Sequence, residues 1–304
     1  YYYDADNVKI DKLNFVWIDD EAVELASYKN GTINVSDTLS AESEMTYRGT
    51  EDYNSCAKIG VKYFTFNTEH IPDARVRKAM SYAIDREALI KIMGYADKPA
   101  YGMVPYGIHW GDEQWRDVAD EKNGEQYTEY NPEKAKQMLA DAGYPNGFDM
   151  TITVASNNKP HVDTAEVVAQ QLRAVGLNVT IQQVEWQTWY DETYKGRNYQ
   201  STVSGIAASD MTAREMLERY TTPHSKNFIN FSDAEFDDVV AKAAATLDRE
   251  EQVALYKRAQ EILNEQAGSL WLQDLCDLVV LRPELDGMTF YATYVLDMST
   301  IYYK

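Results

Sequence analysis

The chain has 304 residues, enough for two domains at roughly 150 residues each. With 44% hydrophobic and 26% charged residues, it lies outside disordered, collagenous and coiled-coil compositions. Its 29 Lys and Arg against 49 Asp and Glu give a net charge of −20, which disfavours nucleic-acid phosphates and anionic membranes as partners and favours solubility.

The densest basic patch, Arg75, Arg77 and Lys78, is too small to form a nucleic-acid stripe. Apolar runs such as residues 278–281 are far shorter than the ~20 residues a spanning helix needs. The opening Tyr1-Tyr2-Tyr3-Asp4-Ala5-Asp6 has neither the basic start nor the apolar stretch of a signal peptide, and is expected to mark processing or a piece of something longer. Tyrosine is in excess, 23 copies against 8 Phe and 6 Trp, a residue suited to core rims and to ligand-contacting surfaces. Cys56 and Cys276 lack metal-site spacing, and two independent thiols are expected over one disulfide across a long loop.

Residues 11–35 predict a βαβ unit: Leu13, Phe15 and Trp17 alternate on a strand, Asp20 caps a helix through Tyr28, and Ile33 and Val35 begin a second strand. A polar stretch, 36–58, interrupts this grammar. A strand follows from Ile59 to Asn67, then a helix with Val76, Met80, Ala83 and Ile84 on one face, then a second helix capped by Asp85 and stopped by Gly94. Residues 97–112 form a Pro- and Gly-rich loop, read either as a surface connection or as a functional loop.

Asn131-Pro132-Glu133 opens a helix with cap, proline and acid in the favoured order. Phe148, Met150, Ile152 and Val154 share a strand face, a helix runs from Val162 to Val175, and Leu177, Val179 and Ile181 form the next strand, so a parallel crossover is expected. Ser232 with Glu235 and Asp248 with Glu251 read as capping boxes for two further helices. Strands at 270–281 and 288–303 close the chain.

Catalytic signatures are missing. The four histidines, His70, His109, His161 and His224, form no HExxH, and no GxSxG, GxGxxG or GxxxxGK[ST] occurs. Paired carboxylates for glycoside hydrolysis remain open, because acids are abundant. One stretch stands out: Trp186, Trp189, Tyr190 and Tyr194 form an aromatic run, and the small residues of Ser204-Gly205-Ile206-Ala207-Ala208-Ser209-Asp210 follow. Aromatic faces beside accessible backbone suit a site for varied ligands, and core packing explains the same residues equally well.

Four segments carry a family likeness: AVELASYKNGTINV from Ala22, YFTFNTEHIPDARVRKAMSYAIDREALIKIM from Tyr63, YNPEKAKQMLADAGYPNGFDMTITV from Tyr130 and VVAQQLRAVGLNVTIQQVEWQTWY from Val167. In these, with FSDAEFDDVV from Phe231, the chain resembles the family 5 solute-binding proteins of oligopeptide and dipeptide ABC importers, and specifically their final three-fifths. The resemblance implies an α/β fold of periplasmic-binding-protein-like type II lobes, a mixed sheet flanked by helices. It further implies a remnant of the first lobe at 1–61, a second, ligand-binding lobe at 62–281, and strands returning to the first lobe at 282–304. Interlobe crossings would fall near Ile59 to Phe64 and Val279 to Pro283, which brings Cys56 and Cys276 close to the hinge and makes a disulfide there worth testing.

The function so implied is capture of oligopeptides between two lobes and delivery to an ABC permease, by a monomeric, non-enzymatic protein without cofactor, metal or nucleic-acid partner. It would work at the extracellular face or in the periplasm, anchored by lipid through an N-terminal segment not in this sequence. The ligand-binding residues would be Tyr63, Trp186, Gly205, Ile206, Ala207, Ala208, Ser209 and Asp210. Here Trp186 matches the family's cleft tryptophan, but Ile206 replaces a usual Trp, and Ser209 stands where oligopeptide binders place an Asp on the peptide α-ammonium. Asp210 would serve in its place if the loop slips by one residue; otherwise the ligand lacks a free amine, binds elsewhere, or is a sugar or metal chelate. A sensor module and a carboxylate-dependent hydrolase are the rival readings.

Overall fold

The structure, a computed structural model, describes residues 8–18, 20–37, 39, 41–94, 99–115, 128–210, 212–293 and 295–304, without the side chains of 41, 42 and 296. The first six residues, and Asp97 and Lys98 of the Pro/Gly-rich loop, lie outside that set.

The first helix, α1 (Glu21–Lys29), starts where Asp20 accepts the Val23 amide at 2.9 Å. The strand expected before it is absent: residues 12–18 have no ladder partner, and Phe15 and Trp17 are 75% and 89% exposed. Alternation alone does not make a strand, which needs a neighbour to satisfy its backbone. The polar stretch after it holds the two-residue strand β1 (Val35–Ser36), the helix α2 (Ala41–Tyr47) and the first half of a 14-residue strand, β2 (Tyr53–Phe66).

Helices α3 (Ala74–Ala83) and α4 (Arg86–Met93) begin at Asp73 and Asp85, each side chain accepting a first-turn amide. After the short hairpin β3 (His109–Trp110) and β4 (Glu113–Gln114) comes α5 (Pro132–Asp141), capped by Asn131. Strand β5 (Asp149–Ala155), helix α6 (Lys159–Ala174) and strand β6 (Asn178–Val184) form the expected crossover, with β5 and β6 parallel in register from Asp149↔Asn178 to Ala155↔Val184. Gly147 makes the turn into β5 possible: its φ is +70°, and a Cβ there would lie 1.9 Å from the Gly176 carbonyl oxygen.

A short helical segment, α7 (Trp186–Thr188), runs into a π-helical turn over Trp189–Lys195, and β7 (Ser201–Ala207) follows. The last helices are α8 (Ala213–Glu218), α9 (Ala234–Ala245) and α10 (Arg249–Gln266). Asp248 caps α10 as expected. The cap of α9 is Asp233, one residue after the expected Ser232; its carboxylate accepts the Phe236 amide at 2.9 Å, and Glu235 pairs with Arg258. A 13-residue strand, β8 (Ser269–Leu281), precedes four two-residue strands, β9 (Leu285–Asp286), β10 (Thr289–Phe290), β11 (Leu296–Asp297) and β12 (Tyr302–Tyr303).

Six strands form one mixed sheet in the order β1-β8-β2-β7-β5-β6. Helices α3 to α6 pack on one face around Phe64, Phe66, Ile152 and Val203. Helices α8 to α10 cover the other, together with the loop 100–108, whose Ala100, Met103, Val104 and Ile108 are buried. That loop is therefore core for much of its length, not a surface connection. The long strands β2 and β8 leave this body: their pairing slips between Ala57↔Cys276 and Val61↔Asp274, and beyond the slip a separate small core gathers Leu25, Tyr28, Tyr47, Leu278 and Val280. A bulge of this kind bends and twists the ribbon.

Candidate functional site

The parallel strands β5, β6 and β7 end at one edge of the sheet, at Ala155, Val184 and Ala207. Ligands of open α/β sheets sit beyond the carboxyl ends of the strands, and the chain sends its aromatic run and its small-residue segment to that edge.

Trp186 follows β6 and is 48% exposed. It stacks on Trp189, with centroids 5.4 Å apart and planes 18° from parallel, and on Tyr190 at 6.1 Å. Trp189 is buried and donates its indole N–H to Thr202 Oγ1 on β7 at 3.1 Å, so the exposed ring rests on a support fixed to the sheet. Tyr190 and Tyr194 extend the stack, and Lys195 Nζ lies 4.4 Å from the Tyr190 ring centre.

Gly205, Ile206 and Ala207 are half-buried at the end of β7, paired with Lys62, Val61 and Gly60 of β2, and Ala208 is buried with its amide on the Ile59 carbonyl at 2.7 Å. Ser209 and Asp210 are exposed. Glu215, in the first turn of α8, pins this turn: it accepts the Ser209 amide, the Ser209 hydroxyl at 3.0 Å, the Asp210 amide at 3.1 Å and Arg219 at 2.7 Å. Burial alone would raise the Glu215 carboxyl, and these hydrogen bonds outweigh it, holding it down at about 2. The Asp210 carboxylate accepts the Thr212 amide at 3.0 Å and hydroxyl at 2.6 Å.

Tyr63 is buried, away from this edge. It is 2% exposed, edge-on to Trp271 at 6.0 Å within the core covered by α8 to α10, and burial pushes its hydroxyl up to about 12. Alternation along β2 puts it on the face covered by α8 to α10, opposite Phe64, which lies in the core under α3 to α6. Cys56 and Cys276 are not joined by a disulfide: register pairs Cys56 with Asp277 and Cys276 with Ala57, so the two side chains leave opposite faces of the sheet.

Three polar residues at the same edge, Lys62 and Gln273 buried and His161 half-buried, escape sequence reasoning. Lys62 donates to Gln273 Oε1 at 3.2 Å, Gln273 donates to the Gly94 carbonyl at 2.7 Å, and His161 of α6 stands beside Gly205. Burial lowers Lys62 to about 8, and burial reinforced by the Lys62 charge takes His161 down to about 3. The available signal was one cation inside the apolar run Ile59-Gly60-Val61-Lys62-Tyr63-Phe64, and Gln273-Asp274 ending another, Leu270-Trp271-Leu272. Beyond Gly94 lies a cavity of about 560 Å3 between α2 and α4. Among the described residues, no group of three His, Cys, Asp or Glu side chains is placed to hold a metal.

A mixed sheet with helices on both faces, and an aromatic and small-residue platform at its carboxyl edge, is the lobe architecture of type II periplasmic-binding-protein-like solute receptors. The chain belongs to the bacterial extracellular solute-binding proteins, family 5, whose model matches residues 1–228. It is 28% identical over 240 residues, 75% of this chain, to Heme-binding protein A of Haemophilus influenzae, and 24% identical over 274 residues, 88% of this chain, to Dipeptide-binding protein DppE of Bacillus subtilis. The fold superposes with a TM-score of 0.81 on an oligopeptide ABC transporter substrate-binding domain from Bacillus anthracis, at 20% identity, over 99% of this chain and 60% of that one. The chain spans about half the length of these curated relatives, 42% and 49% respectively.

Proposed function

We propose that this chain supplies the second lobe and hinge of an ABC importer's solute receptor, which captures short peptides and hands them to a membrane permease without chemical change. The division proposed is residues 1–61 and 282–304 with the first lobe and 62–281 as the ligand-binding lobe; the slip in β2 and β8 supports a hinge near its lower bound. The carrying observation is the carboxyl edge, where exposed Trp186 and the β7 end at Gly205–Asp210 share one side of the sheet. An extended peptide would pair its backbone with the chain leaving β7 and lay side chains against the stacked rings. The receptor is read as an extracellular, lipid-anchored monomer that acts by lobe closure.

Ser209 favours a second reading, a non-peptide solute, since its hydroxyl replaces a carboxylate and a charge-assisted contact is worth ~1.5–3 kcal/mol. A thermal-shift screen of the full-length protein against di- to tetrapeptides, sugars and haem separates the two. Stabilisation by peptides is expected; stabilisation by sugar or haem alone would refute the peptide reading. The 304-residue chain holds one wall of such a cleft, and its own peptide affinity is expected to be weak.

A further inference from the structure

The slip in β2 and β8 gathers contacts that a plain bulge does not need. Between Ala57↔Cys276 and Val61↔Asp274, three β2 residues, Lys58, Ile59 and Gly60, stand against the single β8 residue Leu275. Extra residues in a bulge lose their ladder partners, and buried backbone groups must then bond elsewhere. Ile59, 1% exposed, does so in two directions. Its carbonyl accepts the Ala208 amide at 2.7 Å, and its own amide donates to the Ala292 carbonyl at 3.1 Å.

Those two partners belong to different parts of the molecule. Ala208 leads into the turn whose next residues, Ser209 and Asp210, are held by Glu215. Ala292 lies in the loop that joins β10 to β11, in the segment returning after β8. Two hydrogen bonds through one residue therefore connect the ligand-facing turn to the returning segment.

The bulge has little room to absorb a displacement. A Cβ on Gly107 would collide with the Lys58 carbonyl, and one on Gly60 would lie 2.9 Å from both the Ile206 carbonyl oxygen and Leu275 Cδ1, so both glycines mark backbone packed at close approach. The Ile59 side chain is buried in the core under α8 to α10, on which Ala292 also packs. Lys58 crosses the ribbon to pair with Asp277. Close-packed elements pass a shift on as a body instead of deforming continuously.

We propose that Ile59 is a coupling residue, which carries a displacement of the ligand-facing turn at Ala208 to the loop at Ala292 and carries the reverse displacement back. The use of this coupling rests on the solute-receptor reading: with residues 282–304 moving as part of the first lobe, occupation of the turn biases how the two lobes close. Ile59 acts through its position and needs no contact with the solute. Adjacency alone does not couple two sites; a response at one end to a change at the other does.

The test perturbs the turn from its far side and reads the loop, by two-dimensional amide NMR of the 304-residue chain. Glu215→Gln loosens the turn at Ser209 and Asp210. The result expected is amide shifts at Ala208 and Ile59 and onward at residues 291–293, with Tyr302 and Tyr303, in the same returning segment but paired with β9, unmoved. Ile59→Pro removes the amide that reaches Ala292 and keeps the carbonyl that accepts Ala208, so in that background the response to Glu215→Gln should be lost at 291–293. Gly107→Ala presses on the Lys58 carbonyl from the loop side and should move the Ala208 and Ala292 signals together, which keeps the proposal falsifiable if Ile59→Pro unfolds. Shifts that stop at Ser209 and Asp210 overturn the proposal, as do shifts at 291–293 that survive Ile59→Pro, or a Gly107→Ala response at one end without the other. None of these measurements uses a ligand: their failure leaves peptide capture standing, and a non-peptide solute leaves the coupling standing.

Discussion

Removing the charge that pins the ligand-facing turn should have a measurable, pH-dependent cost. Glu215 gathers four donors from Ser209, Asp210 and Arg219, and its carboxyl falls from 4.5 to about 2 in the folded chain. At about 1.4 kcal/mol per pH unit this corresponds to about 3 kcal/mol, and screening by solvent at the rim of the turn reduces it to about 2 kcal/mol. The sign follows from the direction: a carboxylate with a depressed folded-state pKa contributes fully above 4.5 and loses that contribution as pH falls toward 2. Glu215→Gln should therefore lower the urea unfolding free energy by about 2 kcal/mol at pH 7, and the gap to the parent should shrink steadily below pH 4.5. Backbone amide signals of Ser209 and Asp210 should shift at the same time. Equal stabilities at pH 7, or a gap that stays constant from pH 7 to pH 3, would refute the claim that this carboxylate holds the turn.

Ile152→Ala, in the middle of β5 at 0% exposure, should cost about 2–5 kcal/mol in the same assay. Gly147→Ala, with a Cβ driven onto the Gly176 carbonyl, should cost at least about 2 kcal/mol and lower Tm by several degrees. The His161 ring should stay neutral in an NMR titration until pH nears 3; because the unfolded chain takes up that proton from about 6.5 downward, folding stability should fall across the interval, and His161→Asn should flatten that slope. Both cysteines should react with maleimide after unfolding without reductant, and dithiothreitol should leave Tm unchanged.

Features encoded within one turn of chain were legible. Asp20, Asp85, Asn131 and Asp248 each cap the helix their sequence announced, because a cap needs only its own side chain and an amide two or three residues on. The crossover from β5 to β6 was legible for a similar reason, with two apolar strands flanking an amphipathic helix. Features that depend on distant partners were not. Residues 12–18 alternate like a strand but find no ladder, while the start of β2, in a polar stretch, is a strand because β8 lies beside it. Tyr63 was expected on the cleft face and lies in the core, because the helices that cover its face of β2 come about 150 residues or more downstream. The cluster of Lys62, His161 and Gln273 joins three distant segments, so only the assembled sheet displays it. Trp186 and the 205–210 segment do reach one sheet edge, although their contact with a ligand remains part of the proposal.

The most direct test of peptide capture is a structure of the full-length protein with the ligand it carries through purification. The account predicts an extended peptide whose backbone runs along the chain leaving β7 at Gly205–Ser209, with one side chain against the Trp186 ring. A sugar, haem or metal chelate at that edge, or a peptide held away from it, would contradict the account.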